Sequence, residues 1–269
     1  MRWLSLDNRY LPPLLITCIL LTAHFSFGIL ESPTRTGLAI VTAIATELVL
    51  GKLTYGVWVH PASAYITGIS CGILMRSPFL WPYALVAFIS IVSKYALRIG
   101  SKHLWNPSNL GMSLVLLLAP ETASLLSVQW GNVVAPMVVI WTLGSVIVYR
   151  VGRFHLSATY VVSFLLLAAV RSHLTGIPWL ATVAPITGPM YQLFIFFMVT
   201  DPKTTVGPKW AQCVVVSVVA IVETIMRLNE VVYAPFYALC IVGPSALIIE
   251  AALKRLRAPV APSAAPAGA

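Results

Sequence analysis

The sequence predicts an all-α polytopic membrane protein with about ten transmembrane helices. Of its 269 residues, 59% are hydrophobic and only 9% are charged, and the mean hydropathy is +0.89. Soluble domains carry about 25% charged residues, and a soluble chain could not hide this much apolar surface from water. The second observation is a series of long apolar runs separated by short polar stretches, which is the pattern of repeated membrane crossings.

Ten segments are apolar enough to be candidate spans: 11–30, 37–56, 62–76, 79–98, 109–120, 132–149, 158–174, 185–200, 210–228 and 232–252. A full span needs about 20 apolar residues, and the third, fifth and eighth segments are short or contain Gly and Pro. We expect a single integral membrane domain over residues 1–257. The Pro/Ala-rich tail, 258–269, is expected to be disordered.

Charge placement predicts the orientation of these spans. With the N-terminus in the cytoplasm, 13 Lys and Arg residues fall at cytoplasmic ends, and four fall at outer ends, namely Arg35, Arg76, Arg171 and Arg227. The positive-inside rule predicts such an asymmetry when both termini are cytoplasmic. We therefore interpret the net charge of +9 as a signal for membrane topology. The expected partner is the lipid bilayer, and no binding to nucleic acid is expected.

Ten spans divide into two sets of five, about 11–120 and 132–252. Because five is odd, the two sets would have inverted orientations in the membrane. Weak internal similarity supports this division. The paired stretches are YITG and PITG, RSP and TDP, and WNPSNLG and NEVVYAP. Short segments at matching positions of two repeats point to a binding site near the middle of the membrane.

The stretch KHLWNPSNLG holds the first candidate binding residues, Asn106, Pro107, Ser108 and Asn109. Pro107 lacks an N–H group and disfavours helix at Asn106. We expect helix to restart with Ser108 or Asn109 as the N-cap, so that its partially positive end faces a ligand. The alternative is an ordinary capped helix start in a cytoplasmic loop.

The stretch ITGPMYQLFIFFMVTDPKTTVGP holds the second candidates. Thr187 and Gly188 would open a short helix on the outer side, and Thr200 and Asp201 would close it on the inner side. Asp201 would then fix the end of this helix or bind a cation. The alternative makes Asp201 a turn residue paired with Lys203.

Two glutamates fall inside spans, and an unpaired carboxylate there costs several kcal/mol. Glu47 and Glu223 are therefore candidates for handling protons or cations. The alternative is pairing along the same helix, with Lys52 and Arg227 respectively. The scattered Cys and His residues show no metal-ligand spacing, so no metal site is expected.

KHLWNPSNLG resembles the KH-x-FNPA-x-x-G stretch of the RnfD/NqrB family, and FFMVTDPKT, at 196–204, resembles that family's FF-x-x-TDPVT. Order, spacing and span count agree over about 37–245. Within the family, the chain is most similar to RnfD-like membrane proteins found beside enediyne biosynthesis genes, the UnbU-like branch.

The resemblance implies a membrane subunit of an ion-translocating, flavin-dependent redox complex in the bacterial inner membrane. It implies two inverted five-helix repeats similar to those of urea transporters, other complex subunits as partners, and FMN linked to a threonine of an SGAT motif. Here the sequence departs from the family, because Tyr191 stands where that threonine should be. Thr187 is the nearest threonine. We therefore expect FMN or another flavin without the family's covalent link.

Three functions remain open on these residues. The first is an electron-transport subunit of a flavin-dependent membrane oxidoreductase. The second is a solute or ion transporter or exporter that uses the same scaffold without a covalent flavin. The third is a membrane scaffold that recruits partners. In the first two, the Asn106 and Asn109 amides would bind the ligand.

Overall fold

The computed structural model describes residues 11–27, 32–126 and 134–257, and these residues are mostly helical. The first group of helices comprises α1 (Leu11–Phe27), α2 (Pro33–Tyr55), α3 (Ala62–Leu74), α4 (Trp81–Ala96) and α5 (Pro107–Leu118). Proline occupies the first turn of α2, α4 and α5, where its fixed φ angle suits a helix start. The expected disorder of 258–269 lies outside the described residues.

Four two-residue strands connect these helices. They are β1 (Met75–Arg76), β2 (Arg98–Ile99), β3 (Lys102–His103) and β4 (Ser124–Leu125). β1 pairs antiparallel with β4, and β2 pairs antiparallel with β3. The β2–β3 hairpin turns at Gly100, whose φ of 59° suits a residue without a Cβ atom.

The second group contains α6 (Val134–Arg150), α7 (Phe154–Thr175), α8 (Trp179–Val183), α9 (Pro189–Leu193), α10 (Lys209–Leu228) and α11 (Ala234–Arg257). A 3₁₀ turn, Ala184–Thr187, follows α8, and a π-helical turn, Phe194–Met198, follows α9. Together these four segments form one broken helix, whose halves, Trp179–Thr187 and Pro189–Met198, are bent by 63° relative to each other. Pro185 and Pro189 cannot donate backbone hydrogen bonds, which accounts for a break here.

The same packing order recurs in both groups of helices. In the first group, α2 packs against α3 and α4, and α4 packs against α5. In the second group, α7 packs against α8 and α10, and α10 packs against α11. The groups meet where α1 contacts α6 and where α5 contacts α11.

The connections between helices gather at two ends of the bundle. At one end, the His103 N–H donates to the Lys203 carbonyl at 3.0 Å, and Arg153 Nη1 donates to Thr205 Oγ1 at 3.0 Å. At the opposite ends of α4 and α5, β1 pairs with β4. The first end holds the loops after α4, α6 and α9, and we call it the His103 end.

Among the described residues, four helices, α2, α7, α10 and α11, are each long and apolar enough to cross a membrane, and the bent pair would make a fifth. The third and fifth helices, which were expected to be short, are short: α3 has 13 residues and α5 has 12. Apolar side chains also lie exposed on the long helices, among them Leu53, Leu166 and Ile225. Such surfaces suit a membrane-embedded protein, because lipid rather than water would cover them.

Candidate functional site

The stretch KHLWNPSNLG folds as a strand, a bend and a helix start. Asn106 is the N-cap of α5, and its Oδ1 accepts hydrogen bonds from the Asn109 N–H at 3.1 Å and from Ser108 Oγ at 3.0 Å. The prediction that Ser108 or Asn109 caps the helix is therefore wrong. Pro107 is already helical, because a proline at the first helical position loses no hydrogen bond.

The TDP stretch ends the broken helix at the same end of the bundle. Thr200 Oγ1 donates to the Phe196 carbonyl at 2.6 Å, which satisfies one carbonyl left free by the helix end. Asp201 Oδ1 accepts the Lys203 backbone N–H at 2.9 Å. Asp201 is thus a turn residue, as one alternative expected, but its bond is to the backbone of Lys203.

The two stretches meet through side chains and backbone. Asn106 Nδ2 donates to Asp201 Oδ2 at 3.1 Å. Lys102 Nζ reaches the Thr205 carbonyl at 2.7 Å, beside the backbone bond from His103 to Lys203. Two motifs that are about a hundred residues apart in the sequence therefore form one unit.

A cavity of about 790 Å³ lies at this junction. Its polar wall includes Ser63, Lys94, His103, Asn106, Thr200 and Asp201. Its apolar wall includes Ile66, Ile147, Val148, Val151, Phe196 and Phe197. Phe196 is held edge-on by Trp141, with ring centroids 5.1 Å apart. A ligand here would therefore meet both hydrogen-bonding groups and aliphatic and aromatic carbon.

A buried ion pair supports the polar wall. Lys94 Nζ lies 2.6 Å from Glu47 Oε2 and 3.0 Å from Ser63 Oγ, and it joins α2, α3 and α4. The alternative in which Glu47 pairs with Lys52 on its own helix is therefore wrong. Lys52 Nζ instead donates to the carbonyl of Gly56, the residue that follows the end of α2, where carbonyls lack partners within the helix.

Two ionisable groups on the connecting loops are shifted by their surroundings. Burial lowers the pKa of His103 to about 4, and the positive charges of Lys94, Arg98 and Lys203 act in the same direction. Burial raises the pKa of the Asp201 carboxyl, against the effect of its hydrogen bonds from Lys203 and Asn106. His103 is therefore neutral at pH 7.

Not all the predicted site residues come together. Asn106, Pro107, Ser108, Thr200 and Asp201 line the cavity. Asn109 lies behind it, where its Nδ2 donates to the Phe236 carbonyl of α11 at 3.1 Å. Thr187 and Gly188 do not line it, because they lie at the other end of α9. The Thr187 hydroxyl donates to the Ala184 carbonyl at 2.7 Å.

Glu223 belongs to a separate buried cluster. It accepts hydrogen bonds from the hydroxyls of Tyr160 and Tyr191, and Arg227 Nε lies 2.9 Å from its Oε1. The alternative in which Glu223 pairs with Arg227 on the same helix is confirmed. The Tyr191 hydroxyl also accepts a hydrogen bond from Arg227, so this hydroxyl has partners on both Glu223 and Arg227.

Lys94 and His103 were missed as site residues. Lys94 looked like one more cytoplasmic charge at the end of a span, and only the fold shows that it reaches back to Glu47 on another helix. The KH pair at 102–103 was visible, and its place directly before the broken helix was the available signal. Within the described residues, no three His, Cys, Asp or Glu side chains are grouped to bind a metal ion.

Neither the protein-family models nor the curated proteins contain a match to this chain.

Proposed function

We propose that the chain is a membrane protein of the RnfD/NqrB type, with ten spans arranged as two inverted five-helix repeats. The repeated packing order supports this arrangement: α2 with α3 and α4 in one group, α7 with α8 and α10 in the other. The positions of the loops also support it. The β2–β3 hairpin between α4 and α5 lies at the His103 end, whereas β1, before α4, and β4, after α5, pair at the opposite end of the bundle.

The His103 end would face the cytoplasm. Basic residues of separate loops gather there, namely Lys102, Arg153 and Lys203. The positive-inside rule places such loops on the cytoplasmic side of a bacterial inner membrane. The N-terminus would lie on that side as well, because four spans precede the loop that contains His103. The C-terminus would share this side, because the total number of spans is even.

We further propose that the cavity holds a flavin, and that the protein passes electrons within a membrane complex. The observation that carries this proposal is the cavity at the Asn106–Asp201 junction, with its polar and apolar walls. Its volume of about 790 Å³ lies within the range of about 300–1,000 Å³ for small-molecule and cofactor sites. An isoalloxazine ring has the matching chemistry, with a polar pyrimidine edge and an apolar dimethylbenzene edge.

The flavin would be held without a covalent link. Tyr191 replaces the threonine of the family motif, and its hydroxyl bonds Glu223 and Arg227 in a buried cluster. Thr187 does not line the cavity. The protein would supply binding, orientation and electrostatics, while the flavin supplies the redox chemistry.

Purification in detergent from a flavoprotein-competent host tests the proposal. We expect visible flavin absorbance, and we expect denaturation to release all of the flavin. Fluorescence that stays with the denatured chain and disappears in Thr187→Ala would instead demonstrate a covalent site. Colourless protein that also fails to bind added riboflavin would contradict the flavin proposal.

A matched pair of threonine variants tests the location. Thr67 and Thr46 each donate from Oγ1 to the carbonyl four residues earlier, but only Thr67 lines the cavity. Thr67→Val should weaken riboflavin binding, and Thr46→Val should leave it unchanged. Equal effects of the two variants would place the flavin elsewhere.

A transporter or exporter on the same scaffold is the second candidate. It is favoured by the helix ends that meet at the cavity: the first turns of α3 and α5 line it, together with the residues that end the broken helix. Solute sites of transporters are built from such discontinuous helices. Flux of a solute into liposomes by flavin-free protein would support this function over the first.

A further inference from the structure

Three hydroxyl-bearing residues of α3 form a row along one wall of the cavity. Ser63, Thr67 and Ser70 all line the cavity, and their spacing of four and then three residues places them on one face of the helix. At 1.5 Å per residue, the row is about 10 Å long, starting in the first turn of α3. Another face of α3 packs against α2, where Gly68 closely approaches Ile40. The hydroxyl row therefore belongs to the face of α3 that a ligand would meet.

Ser70 is the member of this row whose hydroxyl has no partner among the described residues. Hydroxyls in apolar helices commonly donate to the carbonyl one turn earlier, and those of Thr46, Thr67 and Ser245 do so here. Ser70 makes no such bond, although it is only 4% exposed. Its Oγ is nevertheless not fully enclosed, unlike the Oγ of Ser113, which also lacks a partner. The Ser70 hydroxyl is therefore open to a ligand in the cavity.

The other two hydroxyls each keep part of their hydrogen-bonding capacity. Ser63 Oγ accepts from Lys94 Nζ at 3.0 Å, and its hydrogen has no acceptor in the described chain, so Ser63 can donate to a ligand. The Thr67 hydroxyl donates its hydrogen to the Ser63 carbonyl at 3.0 Å, so its oxygen can only accept from a ligand. Ser70 can do both. The row thus presents a donor, an acceptor and a group that is both.

We propose that this row binds a polyhydroxylated chain. An alcohol hydroxyl both donates and accepts, so the successive hydroxyls of such a chain can pair with all three members of the row. A carboxylate offers only acceptors and could not pair with Thr67, and an ammonium group offers only donors and could not take the Ser63 hydrogen. For the flavin of the proposed function, on which this inference rests, the chain is the ribityl group.

Riboflavin and lumiflavin are the probes that test this inference. They share the same ring system and differ at the ring nitrogen that carries the chain, where riboflavin has a ribityl group and lumiflavin has a methyl group. Flavin fluorescence, titrated against purified protein in detergent after removal of endogenous flavin, measures both affinities. We expect riboflavin to bind at least about tenfold more tightly, as one or two additional hydrogen bonds would require.

Two variants of the row separate hydrogen bonding to the chain from other effects. Ser70→Ala removes the unpartnered hydroxyl, and alanine suits a helix. It should weaken riboflavin binding about two- to tenfold and leave lumiflavin binding unchanged, and Thr67→Val should show the same selective loss. Damage to the fold would instead weaken the binding of both probes. Ser245→Ala is the matched control and should change neither affinity, because the Ser245 hydroxyl bonds the Ile241 carbonyl on an exposed face of α11.

The outcomes distinguish this inference from the proposed function. A preference for riboflavin that falls in Ser70→Ala and stays in Ser245→Ala supports both. Equal binding of the two probes to the unaltered protein overturns the inference and leaves the flavin proposal standing, even if no variant folds. A preference that is undiminished in both Ser70→Ala and Thr67→Val also overturns the inference, because it would come from the carbon atoms of the chain or from another wall. No binding of either probe contradicts both proposals.

Discussion

Asn106 stabilises the site in two ways at once. Its Oδ1 caps α5, and its Nδ2 donates to Asp201 across the interface between the two groups of helices. The first role needs an acceptor, and the second needs a donor facing a carboxylate. An amide provides both from two separate atoms of one side chain, whereas an ionised Asp, which is an equally good N-cap, has no hydrogen to donate to Asp201.

Exchanging the amide of Asn106 and the carboxylate of Asp201 between the two positions should separate the two roles. Asn106→Asp keeps the cap but sets a carboxylate against Asp201, and we expect it to lose about 1.5–3 kcal/mol, the value of a hydrogen bond to a charged group. The double variant Asn106→Asp/Asp201→Asn reverses the donor and acceptor and should recover most of that loss. Thermal unfolding in detergent, followed by circular dichroism, measures both. A double variant no more stable than Asn106→Asp would show that the two side chains are not coupled.

The Glu47–Lys94 pair should behave as a buried ion pair. Removing one partner leaves the other charge buried and unpaired, and we expect Glu47→Gln to cost about 3–5 kcal/mol. Glu47→Gln/Lys94→Met removes both charges and should be more stable than Glu47→Gln alone. The same unfolding assay tests this order, and a further loss in the double variant would show that the bond from Lys94 to Ser63 stabilises the fold more than the ion pair does.

At the residue scale, a side chain's role could be predicted from the sequence when its signal or its partner was close in the sequence. The positions of Asn106 and Asp201 at helix ends were predictable because proline, asparagine and aspartate mark broken helices locally. The partners of Glu47 were not predictable, because Lys52 is close in sequence and Lys94 is close only in the folded chain. Glu223 was predictable because its basic partner, Arg227, lies one turn along the same helix.

At the element scale, close helix contacts depend on glycine. A Cβ atom on Gly68 of α3 would lie 2.6 Å from Ile40 Cα of α2, and one on Gly111 of α5 would lie 2.7 Å from the Val86 carbonyl of α4. Backbone atoms cannot move aside as a side-chain tip can. These contacts fix α3 and α5, and both helices carry cavity residues.

Gly68→Ala should therefore separate α2 from α3. We expect a loss of about 1–3 kcal/mol, the usual cost of overpacking, together with weaker ligand binding. Gly37→Ala is the matched control, because Gly37 lies in α2 with no atom within 4 Å of the added Cβ, and alanine favours helix. Unfolding midpoints that fall equally in both variants would show that helix packing is not the cause.

The short helices were predictable, but their ends were not. Glycine and proline in the segments 62–76, 109–120 and 185–200 indicated short or broken helices. The broken helix nevertheless begins at Trp179, six residues before the segment predicted. Its 3₁₀ and π-helical turns depend on packing around Pro185 and Pro189, and local propensity does not encode them.

At the scale of the whole molecule, the two groups of helices enclose the site between them. The first group contributes Lys94 and Asn106, and the second contributes Phe196 and Asp201. A site of this kind requires both groups in their correct relative position. The weak internal similarity could suggest the two halves, but it could not give the contact between α5 and α11 that joins them.

The proposed inverted arrangement predicts which loops lie on each side of the membrane. α5 has 12 residues and is about 18 Å long at 1.5 Å per residue, shorter than the hydrocarbon core of about 30 Å. It can still connect the two sides, because irregular backbone at membrane depth is tolerated where protein surrounds it. Residues on either side of α5 should then face opposite compartments.

Single cysteines in a chain that lacks Cys18, Cys71, Cys213 and Cys240 test this topology. An impermeant maleimide should label Glu121→Cys and Ile177→Cys from outside the inner membrane. Ser101→Cys and Lys209→Cys should react only after permeabilisation, because they belong to the basic loops at the His103 end. Labelling of Ser101→Cys and Glu121→Cys from the same side would mean that α5 does not connect the two compartments. Ten spans in two inverted sets would then be excluded, and the cavity would not lie between two broken spans.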